Sequence, residues 1–600
     1  MEKMPRSAGG WVAPLRPRRS ARSARAAANL CAMLLAGALA VGVAHGQPAN
    51  ASASRAGVED QRQQERERAL REQQETGTDV RRRPGPPAPA ARLAEEDESP
   101  CFRIARVKLV GERAGDFQWL LGQLSGPGGE DPPAGRCIGA KGANIVLARA
   151  QHALIERGWI TTRVLAAPQD LTAGTLALTL VPGRISAIRA RLGRAAVPGR
   201  TLRSALPAAP GDLLNLRDIE QGLENLQRLA SVKSDIDIEP STTPGARPGD
   251  SDLAVAYEQA RPLRVTLGYD DSGTEATGRN QASATLAWDG PLGLNDLAYV
   301  SQNHDAFNHA GQGTQGYTAH YSVPWGYWLL GATATGSKYH QTVSVGEGFD
   351  DNVYRGESRN RELSLARLLH RDQRRKTSVS VGAFQRSNAN FVNDSEFEDQ
   401  HRRVGGWFAG LNHREYLGPA VLDANLGWRQ GTGAFSAIRA AEEAWGEGNS
   451  RMRLVTADAR LELPIALAAQ RLRYSMLWRA QWNRTRLTPQ DLFAIGGRYT
   501  VRGFDGELNL MGERGWLVRN DLGWALGATG AELYAGVDHG EVGGPSAAGQ
   551  VGTSLTGAVL GLRGQWQGLA YDLFVGTPLA KPDGFRTSKV TAGFSLIYSF

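Results

Sequence analysis

From about Leu263 to Phe600 the chain alternates between apolar and polar or small residues with a period of two, and this pattern limits the fold more than any other feature of the sequence. In "LRVTLGYD", Leu263, Val265, Leu267 and Tyr269 lie on one side, opposite Arg264, Thr266, Gly268 and Asp270. "QASATLAWD" sets Ala282, Ala284, Leu286 and Trp288 against Gln281, Ser283 and Thr285. The last such segment, "KVTAGFSLIYSF", directs Val590, Ala592, Phe594, Leu596, Tyr598 and Phe600 away from Thr591, Gly593, Ser595 and Ser599. A sheet with one apolar face and one polar face suits a barrel whose outside meets lipid and whose inside meets water. Backbone groups facing lipid must all be paired, so such a sheet has to close on itself. With strands of about 9–11 residues plus connections, the segment has room for about 16 strands, and the number should be even. A soluble all-β array is the alternative, and the leader described next speaks against it.

Residues 1–46 carry basic residues up to Arg25, then the apolar run Ala26 to Ala44, then "AHG" before Gln47, which is the pattern of a secretory signal peptide. Seven basic and one acidic side chain in this segment account for six of the formal +8, leaving +2 on the remainder. The basic balance is therefore no argument for a nucleic-acid partner. Cys31 lies within the leader, which leaves Cys101 and Cys137 as an even pair in an oxidising compartment; one disulfide is expected.

Gln61 to Gln74, "QRQQERERALREQQ", consists of strong helix formers with almost no apolar face. Such a helix belongs in water or in a wet cavity rather than in a core, and a solvated tail would fit equally well. Arg81 to Pro100 is rich in Pro, Ala and charge and is expected to be an extended linker. Two small α/β modules follow. In the first, the strand-like "FRIARVKLVG" precedes a helix over Gly142 to Gly158 with Ile145, Leu147, Ala150 and Leu154 at helical spacing, and "ITTRVLAAP" and "GTLALTLVPGRI" read as strands. The second repeats the plan with "ISAIRARLG", a helix "LNLRDIEQGLENLQRL" capped by Asn215, and the strands "VKSDIDIE" and "SDLAVAYE".

Several ordered stretches, among them "RGWITTRVLAAPQDLTAGTLALTLVPGRI", "YSVPWGYWLLGA", "LLHRDQRRKTSVSVGAF", "IGGRYTVRGFDGE" and "ERGWLVRNDL", resemble the two-partner secretion transporters, the TpsB group of the Omp85 superfamily. The resemblance covers most of the chain after the leader. It implies a transmembrane β-barrel of about 16 antiparallel strands over 261–600, preceded by two periplasmic α/β POTRA domains over 101–184 and 185–260. It also implies a plug helix over 57–76 and a linker over 77–100. The function implied is recognition by the POTRA domains of a large unfolded exoprotein with an N-terminal secretion domain (an adhesin, haemolysin or contact-dependent inhibition toxin) and its export through the barrel, in the outer membrane of a Gram-negative bacterium. Phe504, where many members have tyrosine, and "EPSTTPGARPGDSD" depart from the family pattern.

In that family the tetrad Val501, Arg502, Gly503, Phe504 lies at the tip of a loop, around 495–512, that folds back into the barrel. A guanidinium withdrawn from bulk water needs a carboxylate partner. In "ELYAGVDHGEV" the alternation that turns Leu533, Ala535 and Val537 to lipid turns Tyr534, Gly536 and Asp538 to the lumen, and Asp538 matches the wall aspartate of the family. An Arg502–Asp538 ion pair is expected, with Gly496, Gly497, Gly503 and Gly506 allowing tight bends. The resemblance further implies that Phe600 is the signal by which the barrel assembly machinery recognises the chain, and that lipid and this machinery are its other partners. The helix "LRDIEQGLENLQRL" is expected to present an exposed face beside a strand edge to which a client can add a strand.

Enzyme signatures are missing from the sequence. "GQGTQG", Gly311 to Gly316, satisfies G-x-G-x-x-G but is expected in a polar hairpin loop that opens no helix. There is no H-E-x-x-H, G-x-S-x-G, Walker loop or C-x-x-C, so no catalytic, cofactor or metal site is expected. Without a nucleotide site, client folding outside the cell is the expected drive for export. A general porin would have no use for the two α/β modules, and an assembly factor of the same superfamily usually carries more of them.

Overall fold

The computed structural model describes residues 52–75, 79–82, 92–93, 98–191, 197–307, 311–344, 351–468 and 470–600. The expected leader, residues 1–46, and much of the linker lie outside the described residues.

Among the described residues, sixteen long antiparallel strands close into a barrel, from Leu263–Asp270 to Thr591–Ser599, each paired with its neighbours in sequence. The seam joins the first strand to the last with Tyr269 opposite Leu596, and Val265 and Phe600 exchange backbone hydrogen bonds of 3.0 and 3.1 Å. A two-residue strand, Ser395–Glu396, adds to the edge of Arg375–Val392. The alternation places side chains as the physics requires: Val537 and Leu560, the partner of Ala535, are exposed, whereas Tyr534 and Asp538, at the alternate positions of the strand, are buried. Turns at one end are as short as Gly326-Tyr327, while the connection at the other end between Gln470–Asn483 and Arg514–Ala525 runs to about thirty residues. Gln312 to Gly316 is part of the strand Gln312–Trp325, not of a hairpin loop, because its register with Gln341 to Ser337 is unbroken.

The first module packs Ala140–Glu156 against the sheet Arg106–Gly111, Thr175–Val181, Arg163–Leu165. Leu176, Leu178 and Leu180, spaced by two, meet Ile145, Val146, Ala150 and Leu154, spaced as one helical face. A 3-10 segment, Ala114–Gln123, fills the same core with Phe117 and Leu120. Cys101 and Cys137 are joined by a disulfide with Cα atoms 5.3 Å apart. The end of the linker is not free: Leu93 is in this core, and the Glu98 carboxylate accepts the N–H groups of Gly139, Lys141 and Gly142 at 3.1, 2.7 and 2.7 Å. These are donors that the first turn of a helix leaves unpaired.

The second module sets Leu216–Gln227 on the sheet Ile185–Ala190, Ser251–Gln259, Val232–Pro240, through Ile219, Leu223 and Leu226 against Leu253, Val255 and Ile236. Asn215 caps the helix, accepting the Arg217 N–H at 2.8 Å. The opposite face of this helix is not exposed, contrary to expectation. Asn225 donates to the carbonyl of Gly326 at 2.7 Å in a barrel turn, and Arg371 and Lys376, flanking another turn, reach Glu224 at 2.8 and 2.5 Å. The linker residues Val80 and Arg82 donate their N–H groups to Glu224 and Glu220 at 3.1 and 2.7 Å. The helix is therefore covered by the short-turn end of the barrel and by the linker.

Candidate functional site

The loop between Gln470–Asn483 and Arg514–Ala525 narrows to a small ladder, Phe493–Ile495 paired with Leu510–Gly512, from which the tip hangs inside the barrel. The tip rests on an apolar pad: Val501 and Phe504 pack with Ile495, Leu510, Leu517, Val542, Leu555 and Phe585. Phe504 meets Phe585 edge to face at 5.8 Å, a contact made by an unsubstituted ring.

The backbone of the tip lies directly on the wall. Gly503 has φ of 95°, and a Cβ there would fall 2.6 Å from the carbonyl oxygen of Thr577. Across the contact, a Cβ on Gly557 would fall 1.9 Å from the Arg502 carbonyl oxygen. Only glycine on both sides allows this approach.

Arg502 is 4% exposed and Asp538 1%. Arg502 Nε donates to Asp538 Oδ2 at 2.7 Å, Nη2 to Oδ1 at 2.8 Å, and the backbone N–H to Oδ2 at 2.9 Å. Asp521, which the sequence did not single out, receives the same Nη2 on Oδ1 at 2.5 Å. Its other oxygen is 3.2 Å from Arg563, which pairs with Glu532 at 2.6 Å, and Glu532 pairs with Arg473 at 2.8 Å. Charges of alternating sign thus run down the wall from the loop tip toward the short-turn end. The signal for Asp521 was the alternation in "WLVRNDL", which turns it to the same face as Arg519 and opposite Gly536 in register. Arg498 fastens the tip to the seam, with Nη1 2.7 Å from Asp271 and Nη2 donating to the Phe594 carbonyl at 2.9 Å. Removing one partner of so buried a pair costs about 3–5 kcal/mol, because the other charge is left without compensation.

The helix Ser52–Gln74 lies among lumen-facing side chains. Its Glu65 meets Arg479 at 2.9 Å, Glu72 meets Arg460 at 3.3 Å, and Arg66 donates to Ser272 at 3.3 Å. Arg62 donates to the Gly506 carbonyl of the loop tip, and Gln61 to that of Leu492. A helix polar all round finds partners on every side in a polar lumen and could not be held by an apolar core.

Among the described residues, no group of His, Cys, Asp and Glu could hold a metal ion. Phe600 is exposed on the outer face beside Tyr598, with ring centroids 5.8 Å apart.

Comparison with known proteins agrees with this architecture. Residues 249–564 match the haemolysin secretion/activation protein family ShlB/FhaC/HecB, residues 184–240 a POTRA domain and residues 102–183 a POTRA domain of the ShlB type. An outer membrane transporter CdiB-2 of Burkholderia pseudomallei is 35% identical over 574 residues, spanning 92% of this chain and 95% of the relative. The haemolysin transporter ShlB of Serratia marcescens is 27% identical over 413 residues, spanning 68% and 71%. The solved structure of CdiB from Acinetobacter baumannii superposes with a TM-score of 0.80 at 30% identity, covering 92% of this chain and all of that one. The chain belongs to the ShlB/FhaC/HecB family and is a two-partner secretion transporter of the Omp85 superfamily, a 16-stranded outer-membrane barrel with two POTRA domains in the periplasm.

Proposed function

We propose that this transporter binds an unfolded exoprotein carrying an N-terminal secretion domain at its POTRA strand edges and passes it through the barrel lumen. The helix Ser52–Gln74 acts as a plug that leaves, and the Arg502 loop stays clamped to the wall. The observation that carries this proposal is a polar lumen occupied by a helix whose ties to the wall are polar side-chain contacts such as Glu65–Arg479. Such contacts keep part of their surface in solvent, Arg479 at 14% and Glu65 at 22%, and can be exchanged for water as the helix leaves.

Because the helix Leu216–Gln227 is covered, client recognition falls to the sheet edges: Val232–Pro240 and Ile185–Ala190 in the second module, Arg106–Gly111 and Arg163–Leu165 in the first. An extended segment adds to such an edge through main-chain hydrogen bonds and tolerates variation in sequence. The exoprotein class is that of adhesins, haemolysins and contact-dependent inhibition toxins, supported by relatives named as CdiB and haemolysin transporters. Phe600, held in the seam by its pairing with Val265, serves as the assembly signal of the barrel.

The test is co-expression with exoproteins of this class and assay of the medium. The proposal expects one such partner to reach the medium only when the transporter is present. Retention of every such exoprotein in the periplasm at normal transporter abundance would contradict it.

A further inference from the structure

The outer surface of the barrel is not uniformly apolar toward the long-loop end. Along Asn352–Arg371 the inward residues include Glu362, which pairs with Arg429 at 3.3 Å, so Arg361, Leu363 and Leu365 on either side point outward. Leu363 and Leu365 are exposed toward lipid, and the next outward positions are Arg361, Arg359, Glu357 and Arg355. The register sets Lys338 beside Glu357, and Ser387, the cross-strand partner of Arg359, beside Arg403.

Among the described residues, five basic groups (Lys338, Arg355, Arg359, Arg361 and Arg403) thus share one outward face with three acidic ones, Glu357, Asp394 and Glu396, an excess of two positive charges. Glu357 is 2.7 Å from Lys338 and 3.7 Å from Arg359, and Asp394 is 2.5 Å from Arg355. Among the described residues, Arg361 and Arg403 have no acidic partner. Two surface cavities open on either side of Lys338, one lined by Gln302, Tyr317 and Arg359, the other by His304, His340 and Arg355. The outward face of Ala531–Gly543 differs, running Leu533, Ala535, Val537 without a cation.

A guanidinium at the margin of the hydrocarbon band needs an anion that lies at the same depth, and lipid phosphates do. Arg is suited to them because its fork donates two parallel hydrogen bonds. The POTRA domains are periplasmic and join the short-turn end, so the long-loop end faces the outer leaflet. We propose that this face binds the phosphate groups of an outer-leaflet glycolipid, with Arg359, Arg361 and Arg403 as the contacts and the two cavities taking its saccharide head group. Leu363, Leu365 and Val381 beneath them are exposed and meet the acyl chains.

The test uses the full transporter in detergent, with native mass spectrometry of bound diphosphoryl lipid A, monophosphoryl lipid A as the second probe, and inorganic phosphate as competitor. Binding of the diphosphoryl form should fall at least tenfold in the triple variant R359Q/R361Q/R403Q. It should be several-fold weaker for the monophosphoryl form, and it should resist millimolar phosphate. R367Q, whose guanidinium sits 4.8 Å over Trp328 at the opposite margin, should bind as the parent does. Should the triple variant fail to show the heat-modifiable gel mobility of a closed barrel, R361Q alone decides, with at least a threefold loss expected. Undiminished binding in the variant that is read, equal binding of the two lipid forms, or release by inorganic phosphate would overturn the proposal.

Discussion

The lumen holds two elements by different means. The loop tip combines an apolar pad, glycine-to-glycine backbone contact at Gly503 and Gly557, and a buried Arg502 bonded to two aspartates. The helix Ser52–Gln74 is held mainly by ion pairs and single hydrogen bonds such as Glu65–Arg479 and Arg66–Ser272, with Leu70 against a small apolar cluster and Gly57 close to the Pro489 carbonyl as its apolar and backbone contacts. The Arg502–Asp538 contact, 4% and 1% exposed, is costly to break, whereas the helix's pairs are less buried, Arg479 at 14% and Glu65 at 22%, and each contributes less. On the function proposed above, the helix is the part that moves and the loop is the part that stays.

The largest effect should come from breaking the clamp. R502A or D538N should reduce partner secretion at least tenfold, measured in the medium against transporter abundance, while the barrel still assembles. D521N should cost less, because Arg502 keeps its two-point contact with Asp538. Next in size, removing residues 57–76 should raise ion conductance in planar bilayers several-fold; unchanged conductance would mean that the helix does not obstruct the pore.

Outside the lumen the effects are smaller and confined to the first POTRA domain. Replacing Cys101 and Cys137 by Ser releases a ring of about 36 residues and should lower the stability of this domain by about 4 kcal/mol, read as a drop in its thermal midpoint with secretion largely kept. The smallest is a pH effect at Glu98. Burial pushes its carboxyl up, but the N–H groups of Gly142, Lys141 and Gly139 outweigh that and hold it below the ordinary range. A carboxyl with a depressed folded-state value stabilises above its unfolded value and loses that contribution as pH falls through the folded one. The thermal midpoint of the parent should fall as pH drops below about 4.5, and E98Q should flatten that slope; an unchanged slope in E98Q would contradict the role of the cap.

What was legible in the sequence follows from the range of each contact. Strand alternation is local, so the barrel and the lumenal facing of Asp538 could be read from spacing. That the loop around Arg502 folds inward came from family resemblance, since nothing local distinguishes an inward loop from a solvated one. Asp521, Gly557 and Gly576 escaped notice because their roles exist only where distant segments meet: a Cβ on Gly576 would fall 2.8 Å from Gly503 Cα. The segment Ala114–Gln123 was missed because Gly115 and Gly122 dilute its apolar spacing. The face of Leu216–Gln227 read as exposed because its polar residues Glu220, Glu224 and Asn225 bond with the barrel and linker rather than with water.

The central claim, that the client passes through a lumen cleared of the helix while the loop stays, is tested most directly by tethering. In E65C/R479C, two thiols replace a pair whose charged atoms lie 2.9 Å apart, and a short reducible bismaleimide can bridge them in assembled transporter. The account predicts that bridging stops partner secretion and that reduction restores it. Secretion that continues undiminished with the helix bridged to the wall would contradict it.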